Sequence, residues 1–272
     1  ADFEATAGND ATRAIGAAVG GPINDELGYR ASVHRYESNG FRRNAYLGRD
    51  DTYGRDELTA RGKLAWAPSD RVSIDFTGLH IDVDNGYDAW TIHNGFTTQS
   101  DQPGKDAQRS TAASVRVRAQ LESVDIVSIT GAADTDAVFS FDADWGNPGL
   151  WAPCVYEFSQ SNERERRTVN QEVRVLSKPG AVANGRGEWL VGAYVLDLEE
   201  SNERVDFGRD DFAVYCDPCR AASDYDARHL AIFGQIDLAL GDRLGLTAGL
   251  RFEQRSADYA DTDANRFEPR DP

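Results

Sequence analysis

Hydrophobic and polar residues alternate along most of this chain. The run Val115-Arg116-Val117-Arg118-Ala119 places each apolar side chain on one side of an extended backbone and each charged side chain on the other. Similar runs recur, and no stretch has helical periodicity for more than a few turns. About eleven strands are predicted, near 2–8, 11–20, 27–37, 54–67, 71–84, 108–122, 124–141, 165–178, 187–200, 225–240 and 243–257.

The segments that connect these runs alternate in length. Short, turn-like links are expected at 22–25, 67–70, 122–125 and 240–243, with a longer one at about 179–187. Long links rich in Asp, Asn, Gly and aromatic residues are expected at about 38–53, 85–106, 142–164 and 201–222, whereas the link near Asn9 and Asp10 is tight. Long strands with short links at one end and long links at the other are typical of outer-membrane barrels. We therefore predict an all-β fold: an antiparallel up-and-down meander of about 11 long strands, forming a partial transmembrane β-barrel.

Two predicted strands fit the alternation poorly. After Phe76 the apolar positions change side, so Gly78 marks either a bulge that swaps the faces or a strand that runs beyond the membrane. The run 124–131 has no clean apolar face.

Composition narrows the function classes. The chain has 272 residues and a formal net charge of −17, which argues against nucleic-acid binding, since that needs clustered cations. It has no run of eighteen apolar residues, which excludes a transmembrane helix. Because Met is absent even at position 1 and no signal segment is visible, we expect a processed chain or a fragment.

Several segments resemble the barrel domain of TonB-dependent outer-membrane receptors, which import ferric siderophores and related nutrients. The hairpin 231–253, with FGQ at 233–235 and LTAGLRFE at 246–253, is similar to a hairpin of that family. The strands 170–177 (NQEVRVLS) and 188–194 (EWLVGAY), and the earlier segments 20–23, 36–41 and 61–64, also resemble it in the family's order. Residues 1–272 are thus similar to the first half of such a barrel.

This resemblance implies a plug domain, a TonB box and a 22-strand barrel, of which the plug, the box and the C-terminal strands are not visible in the sequence. It implies the outer membrane of a Gram-negative bacterium as the location. The implied partners are outer-membrane lipid and lipopolysaccharide, the protein's own plug domain, the TonB complex, and a small-molecule solute such as a ferric siderophore. It implies no cofactor and no enzymatic activity.

Two groups of residues are candidates for function. The first would line the lumen, either as a wall that holds the plug or as a generic wet surface: Arg61, Lys63, Arg116, Arg118, Glu172, Arg174, Gln235, Asp237, Arg251 and Glu253. The second comprises loop aromatics that could stack on a planar ligand or anchor the protein at the membrane interface: Tyr87, Trp90, Trp145, Trp151 and Tyr156. We expect Leu64, Val117, Val173, Ile236 and Leu250 to face lipid, and Lys63, Arg116, Arg174, Asp237 and Arg251 to face the concave side.

The three cysteines, Cys154, Cys216 and Cys219, allow a zinc half-site, a redox pair or a local disulfide. Outer-membrane loops pass through an oxidising compartment, so a bond between Cys216 and Cys219, or from one of them to Cys154, is expected on an extracellular loop. No metal site is expected: DVDNG at 82–86 matches a calcium loop only in part, and DADWG at 142–146, equally incomplete, reads as a hydrated loop.

The function predicted from these features is active uptake of a scarce solute by a receptor. The alternative is a passive porin or structural β-barrel without energy coupling. The sequence upstream of Ala1 would discriminate, because a plug and TonB box support the receptor.

Overall fold

The computed structural model describes residues 1–241 and 243–262, so Asp242 of the predicted turn 240–243 lies outside the described residues. Eleven strands form one sheet, and two further strands, β4 and β7, have two residues each. Their bounds are β1 Asp2–Ala7, β2 Arg13–Pro22, β3 Leu27–Ser38, β4 Arg43–Asn44, β5 Arg55–Ser69, β6 Val72–Tyr87, β7 Thr97–Thr98, β8 Gly104–Gln120, β9 Val124–Asp142, β10 Tyr156–Ser177, β11 Gly187–Asp210, β12 Val214–Ala239 and β13 Gly245–Asp261.

The large sheet is an antiparallel meander in chain order, β1-β2-β3-β5-β6-β8-β9-β10-β11-β12-β13, which confirms the predicted fold class. Within the described residues β1 and β13 do not pair, so the sheet has two open edges. Parallel pairing occurs between β4 and β7, which the sequence did not predict. Helix α1 covers Pro148–Trp151, and Ala183–Gly185 form a 3₁₀ turn. Neither helical segment is long enough to cross a bilayer, and the same holds throughout the described part of the chain.

Two predicted long loops are wrong. The segment 201–222 is not a loop, because β11 and β12 continue through it and are joined by a tight turn at 211–213. The side chain of Asp210 accepts hydrogen bonds from the backbone N–H groups of Phe212 and Ala213 and closes that turn. The loop predicted at 142–164 shrinks to 143–155 because β10 begins at Tyr156. Backbone pairing with long neighbours extends these strands despite their polar composition.

The two irregular runs are ordinary strands. β6 pairs with β5 and β8 without any register shift at Gly78, so no bulge swaps its faces. Leu79, Ile81 and Val83 therefore lie on the polar face of the sheet, where β6 runs toward the long loops. The run 124–131 pairs regularly with both of its neighbours as part of β9.

Residues opposite one another across a strand pair share a face, so the register divides the whole sheet into two faces. One face carries large exposed apolar side chains, such as Ile232 at 63% and Leu250 at 81% exposure. The buried hydrophobic residues Ala14, Val127, Ala227 and Ala231 all lie on the opposite face. Side chains converge on the concave side of a curved sheet, so we call the crowded face the inner face and the other the outer face.

The outer face has an apolar band with charged residues above it. On β11 the band runs from Trp189 to Val195 and ends at Asp197; on β12 it runs from Ile236 to Leu230 and ends at Arg228. Seven residues of strand span about 23 Å, which is close to the height of the apolar band of a transmembrane barrel. The register places Leu64, Val117, Val173, Ile236 and Leu250 on this outer face.

Candidate functional site

All ten predicted lumen residues lie on the inner face of the sheet. The register assigns to that face Arg61, Lys63, Arg116, Arg118, Glu172, Arg174, Gln235, Asp237, Arg251 and Glu253. Strand alternation is the reason, because residues i, i+2 and i+4 of a strand point to the same face and each of these residues stands in such a series with another inward residue of its strand. We call this set, together with its polar neighbours, the inner wall.

Most charges in the second half of the inner wall are paired within the sheet. Asp125 accepts a hydrogen bond from Arg118 at 2.7 Å and also contacts Lys178. Glu172 pairs with Arg174 two positions along β10. These contacts neutralise the wall locally, so this part of it needs no external partner to balance its charges.

The last two strands continue this pattern. Asp237 accepts hydrogen bonds from Gln235 at 2.8 Å and from Thr247 at 2.5 Å. Arg251 donates to Glu253 at 2.8 Å. Its guanidinium carbon lies 5.6 Å from the ring centroid of Phe233, within cation–π range. Each of these polar groups therefore has a partner on the wall itself.

The first half of the wall differs, because Arg61, Lys63 and Arg116 have no ion pair, hydrogen bond or ring contact within the described residues. Asp75 lies directly opposite Arg116 in the register, yet no carboxylate oxygen approaches the guanidinium within 4.0 Å. The sequence predicted where these cations lie but not that they lack partners, since that depends on the side chains of neighbouring strands.

The predicted loop aromatics pack mainly against one another. Trp90 and Trp145 stack with ring centroids 5.3 Å apart and planes within 8° of parallel, joining loop 88–103 to loop 143–155. Tyr87 was predicted in a loop but is the last residue of β6, where it contacts Phe139 of β9 edge to face at 4.7 Å. The two tryptophans remain 43% and 40% exposed, so each keeps ring surface available to solvent.

The remaining predicted aromatics, Trp151 and Tyr156, form a second cluster at the start of β10. Their rings meet edge to face at 5.4 Å, and Tyr156 also packs on Phe158 at 4.9 Å. The structure thus places the five predicted aromatics in three separate aromatic groups at the loop end of the sheet.

A buried polar knot centred on Asp88 was missed by the sequence analysis. One oxygen, Asp88 Oδ2, accepts hydrogen bonds from Asn44 at 2.9 Å, Thr52 at 2.8 Å and Thr98 at 2.6 Å. All four residues are at least 96% buried although they lie in the connections between strands of the large sheet, Asn44 in the short β4 and Thr98 in the short β7. Residues up to 54 positions apart meet here, and no local pattern in the sequence signals such a contact. The knot ties loop 39–54 to loop 88–103.

A second knot corrects the interpretation of 142–146 as a hydrated loop. Asp144 is 6% exposed and accepts hydrogen bonds from the indole of Trp151 at 3.0 Å and from the N–H groups of Gly146 and Phe158. Asp142 is 5% exposed, and its Oδ1 accepts from the N–H groups of Asp144 and Trp145. Buried, hydrogen-bonded carboxylates thus organise this loop.

The electrostatics of this knot are unusual at Asp142. Its second oxygen, Oδ2, is buried without a hydrogen bond of ordinary geometry. Burial raises the pKa of Asp142 to about 6; the adjacent Asp144 carboxylate adds to the rise and the Ser100 hydroxyl opposes it. No group of three or more potential metal ligands occurs among residues 1–241 and 243–262.

The cysteines lie near the end of the long hairpin formed by β11 and β12. Cys216 is bonded to Cys219, with Cα atoms 4.9 Å apart, and Cys154 is free. The prediction that the pair lies in a loop is wrong, because both residues belong to β12 at a shift in its register with β11. Asp211 accepts a hydrogen bond from the Cys154 thiol and repels its anion, which raises the thiol pKa.

Comparison with solved structures shows the fold of outer-membrane receptor barrels. The ferric yersiniabactin uptake receptor FyuA of Yersinia pestis is similar with a TM-score of 0.76 and 17% identity, over 96% of this chain and 40% of the receptor. The ferric-catecholate import receptor Fiu of E. coli K12, in its open form, gives 0.67 and 14%, over 94% and 44%. BauA, the ferric preacinetobactin receptor of Acinetobacter baumannii, gives 0.64 and 11%, over 93% and 40%.

The chain spans about 40% of the length of these receptors, consistent with part of a barrel. No protein-family model matches the sequence, and no curated protein does so. At these identities the likeness establishes the fold, whereas the solute and the transport step need arguments from the residues.

Proposed function

We propose that this chain is part of the barrel wall of an outer-membrane receptor that imports a scarce solute, such as a ferric siderophore, using energy from the TonB complex. The observation that carries the proposal is the combination of an outer apolar band about 23 Å high with a charged inner wall. This arrangement is inverted relative to a water-soluble sheet. The fold shared with ferric-siderophore receptors supports it.

In this proposal residues 1–272 form a partial barrel domain located in the outer membrane of a Gram-negative bacterium. Further strands would pair with the open edges of β1 and β13, because unpaired edge strands invite association. The outer apolar band would contact lipid, and the charged residues above it would meet lipopolysaccharide. The inner wall would face the protein's own plug domain.

The loop end of the sheet would capture the solute. The exposed ring surfaces of Trp90 and Trp145, and of Tyr156 at 43% exposure, could stack on a planar ligand. The knots at Asp88 and Asp144 hold the loops that carry these rings, so less conformational entropy is lost when a ligand binds. No covalent chemistry is required, and the protein is proposed to be a receptor and not an enzyme.

Uptake in cells tests the proposal. The complete polypeptide that contains this chain would be produced in a strain without siderophore receptors, and accumulation of iron from a panel of ferric siderophores would be measured. We expect accumulation of at least one chelate, and loss of that accumulation when the proton gradient is collapsed. A passive porin would instead admit small solutes regardless of the gradient, which would refute energy-coupled uptake.

A further inference from the structure

The two faces of strands β9 to β12 carry very different charge. The register assigns to their outer face eleven carboxylates and four arginines: Asp134, Asp136, Asp142, Glu157, Glu163, Glu165, Asp197, Glu199, Glu203, Asp224 and Asp226, with Arg167, Arg209, Arg220 and Arg228. Above the level of the apolar band, it assigns to the inner face three of each: Glu200, Asp206 and Asp210, with Arg164, Arg166 and Arg204. The acidic excess of the chain, a formal net charge of −17, is therefore directed away from the concave side in this region.

Two of the inner arginines share one carboxylate. Glu200 accepts a hydrogen bond from Nε of Arg166 at 2.6 Å, and Nε of Arg164 lies 3.8 Å from the other oxygen of Glu200. Arg164 makes no hydrogen bond within the part of the chain that the structure describes. The residues directly opposite it, Ala137 and Asn202, carry no charge. One carboxylate thus serves two guanidinium groups, and the pair of arginines keeps a surplus positive charge.

The neighbouring ion pair does not remove this surplus. Arg204, on the adjacent strand β11, has its own carboxylate partner, because its Nε donates to Asp206 at 2.9 Å. The Asp206 carboxylate also accepts a hydrogen bond from Gln160 at 2.7 Å. Asp206 is therefore already engaged on both of its oxygens, and Arg164 remains the cation with the weakest internal contact.

The geometry of the two arginines suits an anion that arrives from the concave side. Their side chains are 48% and 46% exposed, and their Cα atoms are two residues apart on β10, or about 6.6 Å. The contacts with Glu200 show that both guanidinium groups reach toward a single carboxylate. A second carboxylate would gain charge-assisted hydrogen bonds from the donors that Arg164 leaves unused and would offset the repulsion between the two cations.

We propose that the solute is an anion, and that one of its acidic oxygen groups, such as a carboxylate, binds between Arg164 and Arg166 on the inner face above the apolar band. The inference rests on the proposed function in one respect, namely that the concave side admits the solute. It adds the charge class of that solute. The net charge of the chain alone would favour a cation, because an acidic protein attracts cations at long range.

Equilibrium binding to the complete polypeptide in de-energised outer-membrane fragments tests this inference separately from transport. The probes are an anionic ferric tris-catecholate and three ferric trihydroxamates that differ only in a pendant carboxylate, amide or amine. Retention of radioactive iron on the fragments would be measured at low and high salt. We expect an anionic chelate to bind most tightly, the pendant carboxylate to bind more tightly than the pendant amine, and this preference to shrink at high salt.

Matched variants locate the effect on the inner face. Arg164→Glu should weaken binding of the preferred anionic chelate by about tenfold, because it places a like charge beside the bound acid. Arg164→Lys keeps the charge and should retain most of the affinity. The control Arg167→Glu makes the same change of net charge on the same strand, but on the outer face where Arg167 contacts Asp134, and should leave binding unchanged.

The proposal is overturned if the chelate with the pendant amine binds most tightly, if no chelate of the panel binds, or if Arg167→Glu weakens binding as much as Arg164→Glu. The last result would mean that net charge and not the inner site governs affinity. Uptake assays separate this inference from the proposed function. Energy-coupled uptake of a cationic chelate refutes only the anionic class, whereas binding of an anionic chelate without energy-coupled uptake refutes only the proposed function.

Discussion

Replacing Asp142 by Asn should strengthen the loop 143–155 at neutral pH and remove most of its pH dependence. Asp142 has a pKa raised to about 6, from an ordinary value of 3.8, because its carboxylate is buried. A raised folded-state pKa means that the folded loop binds the proton more tightly than the unfolded loop does. Stability from this group is therefore greatest at low pH and is lost as the pH rises from about 4 through about 6.

The magnitude follows from the shift. A difference of about two pKa units corresponds to about 3 kcal/mol, which we reduce to about 2 kcal/mol because water reaches part of this loop. An Asn side chain retains the oxygen that accepts from Asp144 and Trp145 and carries no charge. At pH 7.5 the variant loop should consequently open about 30-fold less often, since 1.4 kcal/mol is a factor of ten.

Amide hydrogen exchange of the peptides that cover 142–158 measures this opening in the complete receptor. Rates would be corrected for the intrinsic effect of pH and compared at pH 7.5 and pH 4.5. The wild-type loop should be better protected at the lower pH, and this difference should be several times smaller in Asp142→Asn. The remainder comes from Asp101, whose pKa is also raised by burial and by the Asp144 carboxylate and whose backbone N–H donates to Gly146. Asp136→Asn, an exposed carboxylate on the same strand, is the matched control and should change neither rate. Faster exchange in Asp142→Asn at pH 7.5 would refute the reasoning, because it would mean that the charge itself holds the loop.

Three further results are expected. Asp88→Ala should destabilise the closed conformation of both loops of its knot by about 3 kcal/mol, because three buried donors lose their acceptor. Limited proteolysis should then cleave the variant within 39–54 or 88–103. The control Asp50→Ala should not be cleaved there. Val191→Arg should lower the free energy of unfolding, measured with denaturant in bilayers, by about 2–4 kcal/mol, because it places a charge in the outer apolar band. Glu203→Arg, which lies above the band, should lower it far less. Equal losses for the two variants would contradict the proposed membrane depth. Thiol titration of the unfolded, unreduced chain should find one reactive group, Cys154, and three groups would show that the disulfide is absent in the protein.

Much of the fold could be predicted because a strand's two faces are set by adjacent residues. The alternation around Val117 and Val173 was enough to number the strands, to find most of their connections and to divide lumen-facing from outward-facing positions. A period of two needs no knowledge of the partner strand, since successive side chains of any extended backbone point to opposite sides. Short links such as the one predicted at 22–25, which the structure has at 23–26, were similarly set by local turn chemistry, whereas the link predicted at 67–70 is shorter because β5 continues to Ser69.

The tertiary structure alone decided how far the strands extend and what the polar residues do. The segment 201–222 has the composition of a loop but becomes strand, because pairing with neighbouring strands supplies backbone hydrogen bonds that composition does not encode. Asn44 and Asp88 meet across 44 residues, and Asp142 acquires its raised pKa only when two loops close over it. Likewise, the charge of Lys63 can be read from the sequence, but its lack of an acidic partner depends on which side chains the register places beside it. Local patterns fix which way a side chain points, whereas its burial, pairing and pKa depend on segments distant in the chain.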